Sequence, residues 1–120
     1  MIQQPRPRTM FEKIWDDHVV VQAKNAPAIL YIDFHLIHEV TSPQAFTALR
    51  HRGLRVRCPE RTMATMDHST PTTKLRLATL DNQAAAQLEQ LTENCRQFNI
   101  LLHAMGSPMR GIVHVIGPEL

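Results

Sequence analysis

The chain has 120 residues, a length that fits one domain or a piece of a larger one. Apolar residues make up 43% and charged residues 20%, with a net charge of +2, an ordinary balance for a soluble globular protein. No run approaches the roughly 18 apolar residues of a membrane span, and the N-terminus has no apolar leader core, so a cytoplasmic protein is expected.

Residues 1–8 contain two prolines and no periodicity and read as a flexible arm before one α/β domain over 9–120. The sequence "TMFE" then has the form of a capping box, Thr9 accepting from the backbone and Glu12 reaching back, which predicts a helix start. Phe11, Ile14, Trp15, His18 and Val19 follow at helical spacing. "AILYIDFHLI", residues 28–37, is rich in branched and aromatic side chains and predicts a strand. "TSPQAFTALRHRG" predicts a helix, with Ser42 as N-cap, Pro43 in the first turn and Gly53 as the stop.

"RHRGLRVR", residues 50–57, is the densest basic patch. It has no interleaved aromatics to stack bases, so a solvated turn and strand edge is expected and no nucleic-acid surface. "RTMATMD", residues 61–67, predicts a second strand, followed by a Ser/Thr/Pro loop. The strongest periodic signal is Leu80, Ala84, Leu88, Leu91, Cys95 and Phe98, one buried stripe on a helix near 81–98. "NILLHA" and "GIVHVIG" predict two last strands. Alternating strands and helices favour an α/β fold with a mostly parallel sheet and helices on both faces.

In such sheets ligands bind beyond the carboxyl ends of strands. Asp67 and His68 stand where the second predicted strand ends, and Asp33 and His35 near the end of the first. An Asp can orient a neighbouring imidazole and make it a proton donor or acceptor near neutral pH, or it can merely cap the following turn. The sequence leaves both open. His114 interrupts an apolar run, and a His inside a buried strand needs a polar partner. Gln44, in the first turn of a predicted helix, would face solvent. "HLIHE", with His35 and His38, matches neither HExxH nor HxxEH, so a zinc hydrolase is not supported. No glycine-rich phosphate loop and no nucleophile elbow occur. Cys58 and Cys95 lack CxxC spacing and read as reduced thiols, Cys95 in the core.

The words "AILYIDFHLIHEVTSPQAFTALRHRG", "TMATMDHSTPT" and "GIVHVIGPE", in this order, resemble the isopropylmalate dehydratase group of the aconitase family. "TMFEKIWDDHVV" resembles the first helix of its large subunits, so the likeness runs from about Thr9 to Glu119. The resemblance implies a three-layer aconitase-type α/β/α domain. It also implies a hydro-lyase of leucine biosynthesis that interconverts 2- and 3-isopropylmalate through isopropylmaleate. Homoaconitase-type large subunits are the near alternative. The family's 4Fe-4S cluster binds the substrate hydroxyl and carboxylate as a Lewis acid. Carried over by motif, Asp67 and His68 become the proton donor to the leaving hydroxyl, Gln44 a substrate contact and His114 a further active-site residue.

The same resemblance marks what is missing. The cluster's cysteine motifs lie later in the family's large subunit, and neither Cys58 nor Cys95 falls in one, so no metal ligand is assigned here. The catalytic serine belongs to a separate small subunit in the bacterial type. A fragment that is inactive by itself is expected, with the small subunit and the remainder of the large subunit as partners. A non-catalytic association module is the other reading.

Overall fold

The structure, a computed structural model, describes residues 6–71 and 81–120. It divides into two compact units, Met1–Asp33 and Phe34–Leu120.

The first unit opens with helix α1, Met10–His18, and its capping box forms as the sequence predicts. The Glu12 N–H donates to the Thr9 hydroxyl at 3.2 Å, and the Thr9 N–H donates to the Glu12 carboxylate at 2.7 Å. Strand β1, Val19–Val21, pairs antiparallel with β2, Ile29–Leu30. The Tyr31 N–H donates to the His18 carbonyl at 2.8 Å, and His18 Nε2 lies 3.1 Å from the Asp33 carboxylate. Its contact with the Ile14 carbonyl, then that with Asp33, raises the His18 pKa.

The expected single strand over 28–37 is therefore two pieces in two units. Residues 31–34 belong to no strand, and the parallel strand begins only at His35. The hydrogen bonds of Tyr31 and Asp33 to His18 hold the first half of that run to the first unit.

The second unit carries a three-stranded parallel sheet, in the order β3 (His35–His38), β4 (Thr62–Thr65), β5 (Leu101–His103). The register pairs Ile37 with Ala64 and Ala64 with Leu102 across one face. Leu36, Met63 and Leu101 take the other, because successive strand residues alternate. Helix α2, Pro43–His51, and helix α3, Asn82–Phe98, pack together with the first face. Ile37, Phe46, Ala64, Met66, Leu88, Leu91, Cys95 and Ile100 form one core there. Helix α4, Val113–Glu119, covers the second face at β3, where Gly117 lies against Leu36. This is the expected α/β arrangement, with helices on both sides of a parallel sheet.

Helix ends follow local chemistry. Gly53, at φ +62°, closes α2: its N–H donates to Arg50 and that of Leu54 to Leu49, satisfying two last-turn carbonyls. Asp81 caps α3 by accepting from the N–H groups of Gln83 and Ala84 at 3.0 and 2.9 Å. Ser42 differs from expectation. It precedes α2 in helical conformation without a capping bond, and its hydroxyl donates instead to the His38 carbonyl at 2.7 Å.

The helical stripe of α3 is confirmed from Ala84 to Phe98, while Leu80 lies outside the described residues. "GIVHVIG" is a correction: the run folds as α4, not as a strand. Val113 and Ile116, three apart, are its buried residues, a helical spacing concealed in a run that is apolar on both sides of His114.

Leu91 has no exposed surface, whereas Leu101 is 61% exposed. Leu91→Ala should cost about 2–5 kcal/mol in urea unfolding, and Leu101→Ala about 0.5 kcal/mol or less.

Candidate functional site

Parallel strands leave their sheet on the same side, so β3 and β4 deliver their final residues to one edge. From β3 come His38 and, one step beyond, Glu39; from β4 come Asp67 and His68 just past Met66. The pair expected at a strand end is there. The first strand's contribution is corrected: its carboxyl end is His38 and Glu39, because β3 starts where the predicted strand was about to finish. Asp33 lies outside this strand and in the first unit.

Asp67 and His68 do face one another. His68 Nδ1 hydrogen-bonds the first carboxylate oxygen of Asp67, and the second accepts from the Val113 N–H at 2.7 Å. The Asp67 side chain is 3% exposed and that of His68 48%. With Nδ1 facing a carboxylate, the neutral ring carries its proton on Nδ1, and Nε2 keeps its lone pair. Among the described residues none hydrogen-bonds that Nε2. Burial, the largest single influence, works to raise the Asp67 pKa. The Val113 N–H and the His68 imidazole together outweigh it and hold the carboxyl below its ordinary value.

Glu39 is buried with no exposed surface. Its carboxylate accepts three consecutive backbone N–H groups: Asp67 at 3.3 Å, His68 at 2.8 Å, and Ser69. The His38 ring stacks on that of His68, centroids 3.9 Å apart and planes within 10°. The Val40 N–H donates to His38 Nδ1 at 3.3 Å, which leaves the His38 proton on Nε2, 3.4 Å from the Thr41 hydroxyl. The Ser69 hydroxyl donates to Gln87 of α3 at 2.6 Å.

His114 is exposed near the start of α4 and not enclosed in a strand, so no buried polar partner is required of it. Its neighbour Val113 makes the bond to Asp67. Gln44 is exposed in the first turn of α2, whose start is tied to β3 through Ser42. Neither Gln44 nor His114 hydrogen-bonds the Asp–His pair. Sequence reasoning missed Glu39, although an acid directly after an apolar strand, ahead of Thr, Ser and Pro, was a signal.

His38, Glu39, Asp67 and His68 bring metal-capable atoms within 4.8 Å of one another. In the structure these groups are engaged by protein partners: both carboxylates accept N–H groups and the two rings stack on one another. The cysteines do not suit an iron–sulfur cluster, whose ligands are thiolates. Cys95 is buried in α3 and burial pushes its thiol up to about 12, while Cys58 is half-buried ahead of β4. Two such thiols do not make the ligand set.

Residues 12–120 match the model of the aconitase family (aconitate hydratase). The chain belongs to the aconitase family. It is 64% identical over 118 residues to a 3-isopropylmalate dehydratase large subunit of Roseiflexus castenholzii, which covers 94% of this chain and 25% of that protein. A large subunit of the same name from Anaeromyxobacter dehalogenans is 57% identical over 120 residues, covering 96% of this chain and 25% of that protein. The chain thus spans about a quarter of the length of the curated relatives it matches. No solved structure matches it. Among the described residues no helix is long and apolar enough to cross a membrane.

A lowered folded-state pKa means that Asp67 stabilises the fold above its unfolded value, near 4, and that this contribution is lost as pH falls through the folded value. Asp67→Asn should cost roughly 1–3 kcal/mol at neutral pH. The gap to wild type should narrow in urea midpoints measured as the pH is lowered below about 4.

Proposed function

We propose that this chain is the part of an isopropylmalate dehydratase large subunit that handles the proton of the substrate hydroxyl. The observation that carries the reading is the asymmetry of the pair: a buried Asp67 carboxylate holds His68 by Nδ1, and the half-exposed ring keeps Nε2 for a ligand. The relatives' names supply the substrate class.

In dehydration the protonated His68 gives its Nε2 proton to the hydroxyl as the C–O bond breaks, and water leaves. Asp67 stabilises the imidazolium before transfer and keeps the ring in one orientation throughout. The electrons of the adjacent C–H bond form the double bond of isopropylmaleate, the proton passing to a base that the resemblance places on the small subunit. Rehydration runs the same steps in reverse, the neutral Nε2 accepting a proton from water. Gln44 offers an amide to a substrate carboxylate, and His114 contributes a second imidazole beside the Val113 anchor. The family's 4Fe-4S cluster has no ligand set in this chain and belongs with the remaining three quarters of the subunit; the bacterial small subunit is the second partner.

The test is assembly of the chain with the rest of the large subunit and the small subunit, followed by an assay of isopropylmaleate formation. His68→Ala should lower turnover about 10²–10⁴-fold. Gln44→Ala should raise KM more than it lowers kcat. An assembly that holds its cluster yet shows no turnover would overturn the catalytic reading and leave an association module.

A further inference from the structure

Adjacent residues of an extended strand point to opposite faces, so Asp67 and His68 can meet only if the backbone turns out of β conformation between them. The turn has an identifiable cause. Three consecutive N–H groups, those of Asp67, His68 and Ser69, converge on the carboxylate of Glu39. A run of convergent N–H groups is a concavity that ordinarily takes an anion from solution. Here it is filled by a side chain from the neighbouring strand, fully buried and supplied by the residue that follows His38.

We propose that Glu39 is a positioning residue for the Asp67–His68 pair, its carboxylate setting the backbone turn that aims His68 Nδ1 at Asp67. His38, one residue earlier, lays its ring flat on His68 at 3.9 Å, so the end of β3 governs both the backbone and the ring plane of the residue beside it. Charge or bulk alone would not do this. Glu39 Oε1 serves His68 and Ser69 while Oε2 serves Asp67, and all three contacts require an acceptor on both arms. A glutamine keeps the shape and puts a donor on one arm, facing an N–H.

The inference rests on the reading of His68 as the proton donor, but its test uses no substrate. The full chain is labelled with ¹⁵N-histidine, and the His68 ring nitrogens are followed by NMR together with amide exchange at residues 67–69. In wild type the His68 signals should report a proton on Nδ1 and slow exchange at the three amides. Glu39→Gln should shift His68 toward the other tautomer and speed that exchange at least tenfold, with the α3 amides unmoved. Glu39→Asp, which keeps both acceptors, should restore part of the effect. Glu93→Gln, at an exposed acid paired with Arg96, should change nothing at His68.

A folded Glu39→Gln chain with unaltered His68 signals and unaltered exchange at 67–69 would overturn the proposal. If Glu39→Gln does not fold, an amide-to-ester exchange at Ser69 removes one of the three donors and leaves Glu39 in place. The ester should then move the His68 Nδ1 signal, and an unmoved signal overturns the proposal equally. An inactive assembly in which these shifts still occur would count against the catalytic reading alone.

Discussion

In a parallel pair both chains leave the sheet at the same edge, and the meeting of His38 and Glu39 with residues 67–69 depends on that constraint. The register of β3 on β4 sets His38 opposite Thr65, so the residues that follow, Glu39 on one strand and Met66 to His68 on the other, emerge side by side. An antiparallel pair would send them to opposite edges. Burial of the strands supplies the energy behind the register. Ile37 and Ala64 lie inside one core with Leu88 and Leu91, each of those leucines contributing roughly 1.5–3 kcal/mol, and a slip by one residue would turn the apolar set toward the wrong face.

That edge holds two carboxylates whose burial must be offset. An unpaired buried polar group costs about 1–3 kcal/mol, and more when charged. Glu39 meets this with three backbone donors, Asp67 with the Val113 N–H and the His68 ring. The two solutions have different consequences. Glu39 is engaged wholly by amides, which do not titrate, so its role is geometric. Asp67 gives one oxygen to the ring of His68, the contact on which the proposed proton transfer rests. The stacked ring of His38 adds a flat apolar wall to one side of His68, which limits the ring to one plane without competing for its nitrogens.

Much of the fold was legible because the relevant signals are local. The capping box at Thr9, the glycine stop at Gly53 and the stripe of α3 each depend on spacings within a few residues. The Asp67–His68 pair was legible by position, as a polar step at the end of an apolar run. The failures involve longer range. Residues 28–37 read as one strand, but whether such a run pairs once or twice is decided by its partners, here Val19–Val21 for Ile29–Leu30 and Thr62–Thr65 for His35–His38. Residues 111–117 are apolar apart from His114, and no periodicity separates strand from helix in so short a run. The role of Glu39 was missed for a related reason: its donors lie at residues 67–69, and only the sheet brings them to it.

The proposed division of labour along the chain rests on the same geometry. Proton handling needs one imidazole, one carboxylate and a rigid turn, all of which two adjacent strand ends can supply. Thiolate ligation of a cluster needs several exposed, low-pKa sulfurs on one surface, and here Cys95 is spent as core, its thiol pushed up to about 12 by burial. On the proposed reading, the cluster reaches His68 from other chain segments. The exposures accord with that proposal: the Asp67 side chain, whose partners are in place, is 3% exposed, and that of His68 is 48% exposed.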